Sequence, residues 1–156
     1  MIGVKKKLRI WKKSMGYSMR VLLDTNIILY WLIPDNLFHT NARTIIKHCL
    51  DGKIKGYVTS HSLTDVFYIC RKHFSIEQLQ NLLLLLVSNF EILVEEKADF
   101  MSVLKETQFF DLEDGLQMVC AKNADLDYIV TENLKDFKNS KVKAISIETA
   151  LKGFSV

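Results

Sequence analysis

The sequence predicts an α/β fold in a single domain, a five-stranded and mainly parallel sheet flanked by helices. Strand-like and helix-like segments alternate along the chain, which calls for crossover connections and a sheet covered on both faces. The strand segments are short apolar runs, the pattern of strands buried on both sides. With 156 residues, 49% of them apolar and one proline, the chain is long enough and ordered enough for one core.

The elements follow in order. Val21, Leu22 and Leu23 form the first strand, which stops at Asp24, Thr25 and Asn26 before apolar character resumes at Ile27. Thr25 and Asn26 are good N-caps, so a strand, a one-residue break and a helix are expected, with Asp24 at the strand's carboxyl end. In an open parallel sheet, ligands gather at that edge near a switch in strand order. The alternative is that Asp24 only caps the helix, where an acid suits the positive end of the dipole. Pro34 and Asp35 then break the chain. Ala42, Ile45, Ile46 and Cys49 give helical periodicity over His39–Leu50, closed by Gly52. Lys55–Thr59 reads as the second strand, and Ser60 caps a helix to Lys72 with Leu63, Val66, Phe67 and Cys70 as its apolar face.

Ser75 and Gln78 make a capping-box pattern. The helix it opens is leucine-rich nearly all round from Leu79 to Val87, and is therefore expected to be buried on most sides, in the core or in a subunit interface, the core being preferred. Phe90–Val94 is the third strand and Glu96–Thr107 the next helix. Asp111 opens a helix through Leu116, Val119 and Cys120. Asp127–Thr131 and Lys143–Ile147 are the fourth and fifth strands, and Glu148–Lys152 is a last helical turn.

Charge is unevenly placed. Residues 1–20 carry seven Lys and Arg and no acid, while the remainder carries 14 basic and 18 acidic side chains, a balance of −4 within a chain of net +3. The body thus lacks the global basic signature of a nucleic-acid binder, and residues 1–19 read as a basic, dispensable tail before a domain at 20–156. The tail could supply phosphate contacts. It lacks the apolar stretch of a signal peptide, and no run reaches the length of a membrane span, so a cytoplasmic protein without membrane contact is expected. Cys49, Cys70 and Cys120 are odd in number and widely spaced, as buried thiols of a reducing compartment would be; His39, His48, His61 and His73 are scattered, and no zinc site is expected.

The acidic residues carry the functional signal. Asp65 lies mid-helix, where aspartate is a poor helix former. Asp111, Glu113 and Asp114 crowd one first turn, and Asp111 and Asp114 share a face. Thr131, Asn133 and Asp136 follow the fourth strand on the same edge as Asp24. Each has an ordinary reading as a cap or a solvated face. Gathered together, these carboxylates would repel and raise one another's pKa values unless a cation compensated them. Oxygen donors without sulfur or imidazole select Mg²⁺ or Mn²⁺, whose natural chemistry is phosphodiester hydrolysis by an activated water.

Four stretches resemble a PIN-domain ribonuclease: Leu-Asp-Thr-Asn-Ile-Ile-Leu (23–29), Thr-Ser-His-Ser-Leu-Thr-Asp (59–65), Asp-Leu-Glu-Asp-Gly-Leu-Gln (111–117) and Ala-Asp-Leu-Asp-Tyr-Ile-Val-Thr-Glu-Asn-Leu-Lys-Asp-Phe (124–137). Their order and spacing fit across residues 20–150. The resemblance implies a five-stranded parallel sheet and a Mg²⁺- or Mn²⁺-dependent endoribonuclease. Many short bacterial relatives are VapC-type toxins, dimeric and inhibited by a small antitoxin protein. Asp24, Asp65 and Asp114 fall on the first three family acids, Asn26 on the polar residue that orients the first, and Thr131 on the hydroxyl after the fourth strand. Asn133 stands where many relatives have a fourth acid, with Asp136 nearby. Asp65 is a methylene shorter than the usual glutamate, so it is expected to help at the metal directly or through water.

The reading is therefore an RNA-cleaving enzyme with Asp24, Asp65 and Asp114 as catalytic metal ligands, and Arg43, Arg71, Lys72, Lys135 and Lys138 as RNA phosphate contacts. Its alternative is a degenerate, non-catalytic PIN-like module that binds RNA or protein. A receiver-like domain would need an aspartate ending the third strand, where Val94, Glu95 and Glu96 stand. An Asp-x-Asp phosphatase would need an acid at Asn26, and a dinucleotide-binding domain would need glycines after the first strand.

Overall fold

The computed structural model describes residues 18–154. All but the last two residues of the basic segment 1–19 lie outside these, and Met19 already belongs to the first strand. The elements are β1 (Met19–Leu23), α1 (Thr25–Leu32), α2 (His39–Leu50), β2 (Ile54–Thr59), α3 (Ser60–Cys70), α4 (Ile76–Asn89), β3 (Glu91–Leu93), α5 (Lys97–Leu104), α6 (Leu112–Asn123), β4 (Tyr128–Val130), β5 (Ala144–Ile145) and α7 (Ile147–Phe154).

The strands form one sheet in the order β3-β2-β1-β4-β5, with every neighbouring pair parallel. From β1 the chain builds outward through β2 to β3, then returns to the other side of β1 for β4. That reversal leaves a crevice beyond the carboxyl ends of β1 and β4, the place where such sheets bind ligands. Backbone bonds hold the crevice rim: Asp24 N–H donates to Val130 O at 3.0 Å, and Thr131 N–H to Ile145 O at 2.9 Å.

Side chains alternate across the central strands, so each face has its own core. Val21, Leu23, Val58 and Val130 join Ile27, Ile28, Ile45, Ile46, Val66, Leu79, Leu86 and Ile147 on one side. Leu22, Tyr57 and Ile129 join Ala121, Leu126, Phe137 and Val142 on the other. Cys49, Cys70 and Cys120 are buried and free, as expected of core thiols. Burial pushes the Cys49 and Cys120 thiols up to about 12, the nearby carboxylates of Asp99 and Glu95 adding to the effect at Cys120.

Some local expectations are corrected. α3 stops at Cys70, and Arg71 and Lys72 lie in the turn after it. α5 ends at Leu104 rather than Thr107. The capping box of Ser75 and Gln78 is present. The larger correction concerns α4, expected to be buried on most sides: only Leu79 and Leu86 are buried, while Leu84, Leu85 and Val87 face outward. A helix apolar all round presents one stripe to its own core, and nothing among the described residues covers the other. Among the described residues no helix is long and apolar enough to cross a membrane.

Candidate active site

Asp24 sits where β1 gives way to α1, at the N-cap position of that helix, yet its side chain makes no capping bond. It turns instead into the crevice. Thr131, at the end of β4, donates its hydroxyl to Asp24 Oδ2 at 2.8 Å. Gln117, one turn beyond Asp114 on α6, donates Nε2 to Asp24 Oδ1 at 3.1 Å. The purely capping role is thereby excluded. Burial raises the Asp24 pKa above the usual carboxylate value, and the bonds from Thr131 and Gln117 oppose that rise. Each oxygen still has a second lone pair, so a supported carboxylate of this kind remains able to hold a cation.

Asp111 caps α6, accepting the Asp114 backbone N–H at 3.0 Å. This ordinary capping bond coexists with a second effect on the same turn. Asp114 is pushed up to about 7, first by burial and then by the negative charges of Asp24, Asp111, Asp136 and Glu113. The fold has therefore brought acids from the end of β1, the start of α6 and the loop after β4 within electrostatic reach. Such crowding is what a cation with oxygen ligands relieves. Among the described residues, no three Asp, Glu, His or Cys side chains stand together as ready-made ligands of one ion. The donor chemistry of Asp24 and Asp114 fits Mg²⁺ or Mn²⁺ and does not fit a soft metal.

The other expected site residues take different places around this crevice. Asp65 is partly buried on α3, one turn beyond Ser62, and its side chain makes no hydrogen bond or ion pair among the described residues. It is not among the leading charges that raise Asp114. Among the described residues the Asn26 side chain makes no hydrogen bond; its backbone N–H, with that of Thr25, favours the Asp24 carboxylate, while Thr131 and Gln117 supply the side-chain bonds to it. Asn133 contributes its backbone, donating N–H to Thr131 Oγ1 at 3.0 Å, and so positions the hydroxyl that holds Asp24. Asp136, by contrast, acts on Asp114 directly. Lys135 and Lys138 line the same cleft as Asp111, Asp114 and Asp136. Arg43 lines a separate cavity with Trp31 and Lys47. Arg71 lies over the Tyr68 ring, its guanidinium carbon 4.2 Å from the centroid. It and Lys72 follow the far end of α3, roughly 15 Å along the helix from the end that meets the site.

Several residues at the site escaped the sequence reading. Thr25 donates to Glu113 Oε1 at 2.7 Å and contacts Ser62 Oγ at 2.7 Å; Gln117 Nε2 reaches it at 3.3 Å. Ser62 in turn meets Thr59, at the end of β2, at 2.8 Å. Beyond Glu113 lies His61, whose Nε2 is 3.8 Å from Glu113 Oε1 and whose Nδ1 bonds Glu95. Burial alone would raise the Glu95 carboxyl, but bonds from Ser60, its own backbone and His61 prevail and hold it below its ordinary value. Two signals were available. Gln117 is three residues from Asp114 and so shares its face. Thr59 and Glu95 both lie at or just beyond the carboxyl ends of strands, the edge already singled out by Asp24.

A family model for the PIN domain matches residues 20–135. A search by sequence against curated proteins finds no match. Among solved structures, VapBC2 from Rickettsia felis, bound to a DNA fragment from its promoter, superposes with a TM-score of 0.62 at 20% identity, covering 82% of this chain and 98% of that one. VapBC-1 from nontypeable Haemophilus influenzae gives 0.61 at 16% identity, covering 83% and 99%. A toxin–antitoxin complex from Klebsiella pneumoniae gives 0.60 at 20% identity, covering 81% and 97%. At these identities the likeness is one of fold.

Proposed function

The chain belongs to the PIN-domain family, and from that premise we propose that it is a divalent-metal-dependent endoribonuclease acting in the cytoplasm, a VapC-type toxin in its biological setting. The observation that most supports this reading is the crowding of carboxylates around Asp114, whose pKa is pushed to about 7 at the crevice beside buried Asp24. In the proposed reaction Asp24 and Asp114 would hold Mg²⁺ or Mn²⁺, with Asp65 assisting directly or through water and Asp136 adding negative charge. When bound, such an ion supplies Lewis-acid polarisation of the phosphodiester and acidification of water. Thr131 and Gln117 fix the orientation of Asp24, so its position need not reorganise on binding. The amide of Asn133 fixes Thr131 in turn. Lys135 and Lys138 lie on the same cleft and are suited to RNA phosphates.

Two partners complete the proposal. The three structural neighbours are named as VapBC or toxin–antitoxin complexes, which supports a small antitoxin protein as the inhibitor of this chain. The apolar face of α4 left exposed among the described residues supports a homodimer. The test of activity is cleavage of labelled RNA by the purified protein with Mn²⁺ or Mg²⁺. Asp24→Asn and Asp114→Asn should each lower cleavage by about 100-fold or more, since even second-layer partners of metal ligands are worth 10–100-fold, with circular dichroism unchanged. Cleavage that persists in chelator would refute it. A second reading, a non-catalytic PIN-like module that binds RNA or protein, draws support from Asn133 at a position where relatives carry an acid. It predicts chelator-insensitive binding that survives both substitutions and no hydrolysis with either ion.

A further inference from the structure

Between the loop joining α5 to α6 and the loop joining β4 to β5 lies a cleft of about 550 Å³, with Asp111, Asp114 and Asp136 on its wall. The two loops are tied across it by Asn139 Nδ2, which donates to Gln108 Oε1 at 3.1 Å. Beside Gln108 stand Phe109 and Phe110, 46% and 88% exposed, both lining the cleft and neither joining a core cluster. The facing loop presents Lys135, Lys138 and Lys141 at a spacing of three, all exposed and none in an ion pair among the described residues.

Open aromatic rings opposite unpaired ammonium groups suit one ligand chemistry, an unpaired base flanked by phosphates. An acidic peptide would bring carboxylates against Asp111 and Asp114. A base is neutral and leaves its phosphates to the lysines. We propose that the cleft is a base-binding subsite: Phe110, with Phe109 beside it, stacks an unpaired RNA base next to the carboxylate crevice where the scissile phosphodiester would lie. Lys135, Lys138 and Lys141 hold the flanking phosphates. The proposal rests on the endoribonuclease reading.

The test measures binding of fluorescein-labelled single-stranded 12-mers of A and of U, and of a 12-base-pair duplex, in chelator by anisotropy, alongside steady-state cleavage with Mn²⁺. Phe110→Ala should weaken single-strand binding about tenfold and raise KM by a similar factor, leave the salt dependence of binding unchanged, and hardly alter duplex binding. Phe110→Trp should restore affinity. Lys138→Ala should lower the slope of log affinity against log salt by about 0.7. Absence of cleavage by the wild type, with Phe110-dependent binding intact, overturns the nuclease reading and leaves the base site standing. Normal cleavage with Kd and KM unmoved by Phe110→Ala overturns the base site, whatever that substitution does to association with a protein partner.

Discussion

Asp114 is the group whose ionisation this fold alters most usefully. Burial first, then the charges of Asp24, Asp111, Asp136 and Glu113, lift it from 3.8 to about 7. The sign of the consequence follows from linkage. Between those two values the folded chain keeps a proton that the unfolded chain has released. The associated stability is full below about pH 4 and is lost as pH rises to about 7. A fully buried group shifted this far would contribute about 4 kcal/mol; Asp114 is only partly buried, and screening cuts that to roughly 1–2 kcal/mol. Thermal unfolding in chelator should therefore show the wild type losing stability from pH 4.5 to 8, and Asp114→Asn losing less, so that the variant is the more stable at pH 8. Mg²⁺ should stabilise the wild type more at pH 8 than at pH 5.5, since protons compete for the same oxygens. Parallel pH profiles for the two proteins would mean that Asp114 is not the group responsible.

At the scale of elements, the position of Asp114 depends on its neighbour in the chain. A Cβ on Gly115 would overlap the branched side chain of Val103 on α5. Val103 is buried and cannot swing aside, so glycine lets α6 lie close against α5. Gly115→Ala should destabilise by about 1–3 kcal/mol through overpacking, although alanine is the better helix former by about 1 kcal/mol; urea unfolding would measure the balance, and a stabilised variant would refute this packing. Gly56 on β2 is under the same constraint from the Phe90 ring and from Cys49 Sγ at 3.0 Å. What was legible in the sequence divides along this line. His39–Leu50 and the box of Ser75 and Gln78 are specified by residues three and four apart, and they were read correctly. The placing of Asp24 and Asp114 near one crevice also followed, because strand ends and helix starts carry local signals. The bonds from Thr131 and Gln117 to Asp24 span 107 and 93 residues. Spacing places Thr131 on the right edge and Gln117 on the face of Asp114, but their pairing with Asp24 is a tertiary contact that no local pattern fixes. Phe109 and Phe110 belong to no periodic segment, so spacing alone assigns them no role.

For the whole molecule, α4 states the problem most plainly. Leu79 and Leu86, seven residues apart, bury one stripe in the first core. Ile76, Leu84 and Val87, 56%, 63% and 49% exposed, lie by helical spacing along a second stripe. Tyr68 and Ile69 on α3 are exposed as well. Monomers rarely leave contiguous apolar surface of this kind in water, and a self-complementary contact about a twofold axis is the commonest way to cover it. Sedimentation of the wild type should give twice the 18.1 kDa chain mass, and the double substitution Leu84→Glu with Val87→Glu should give a single chain. The two stripes also decide what happens to activity. α4 packs on the face of the sheet that holds Leu79 and Leu86, whereas α6 sends Ala121 into the opposite core. The second stripe and the carboxylate cleft thus lie on different layers, and the doubly substituted variant should keep the proposed RNA cleavage per chain. A wild type that stays a single chain at high concentration would leave the second stripe to another protein; a monomeric variant without cleavage would mean that the site needs the partner subunit after all.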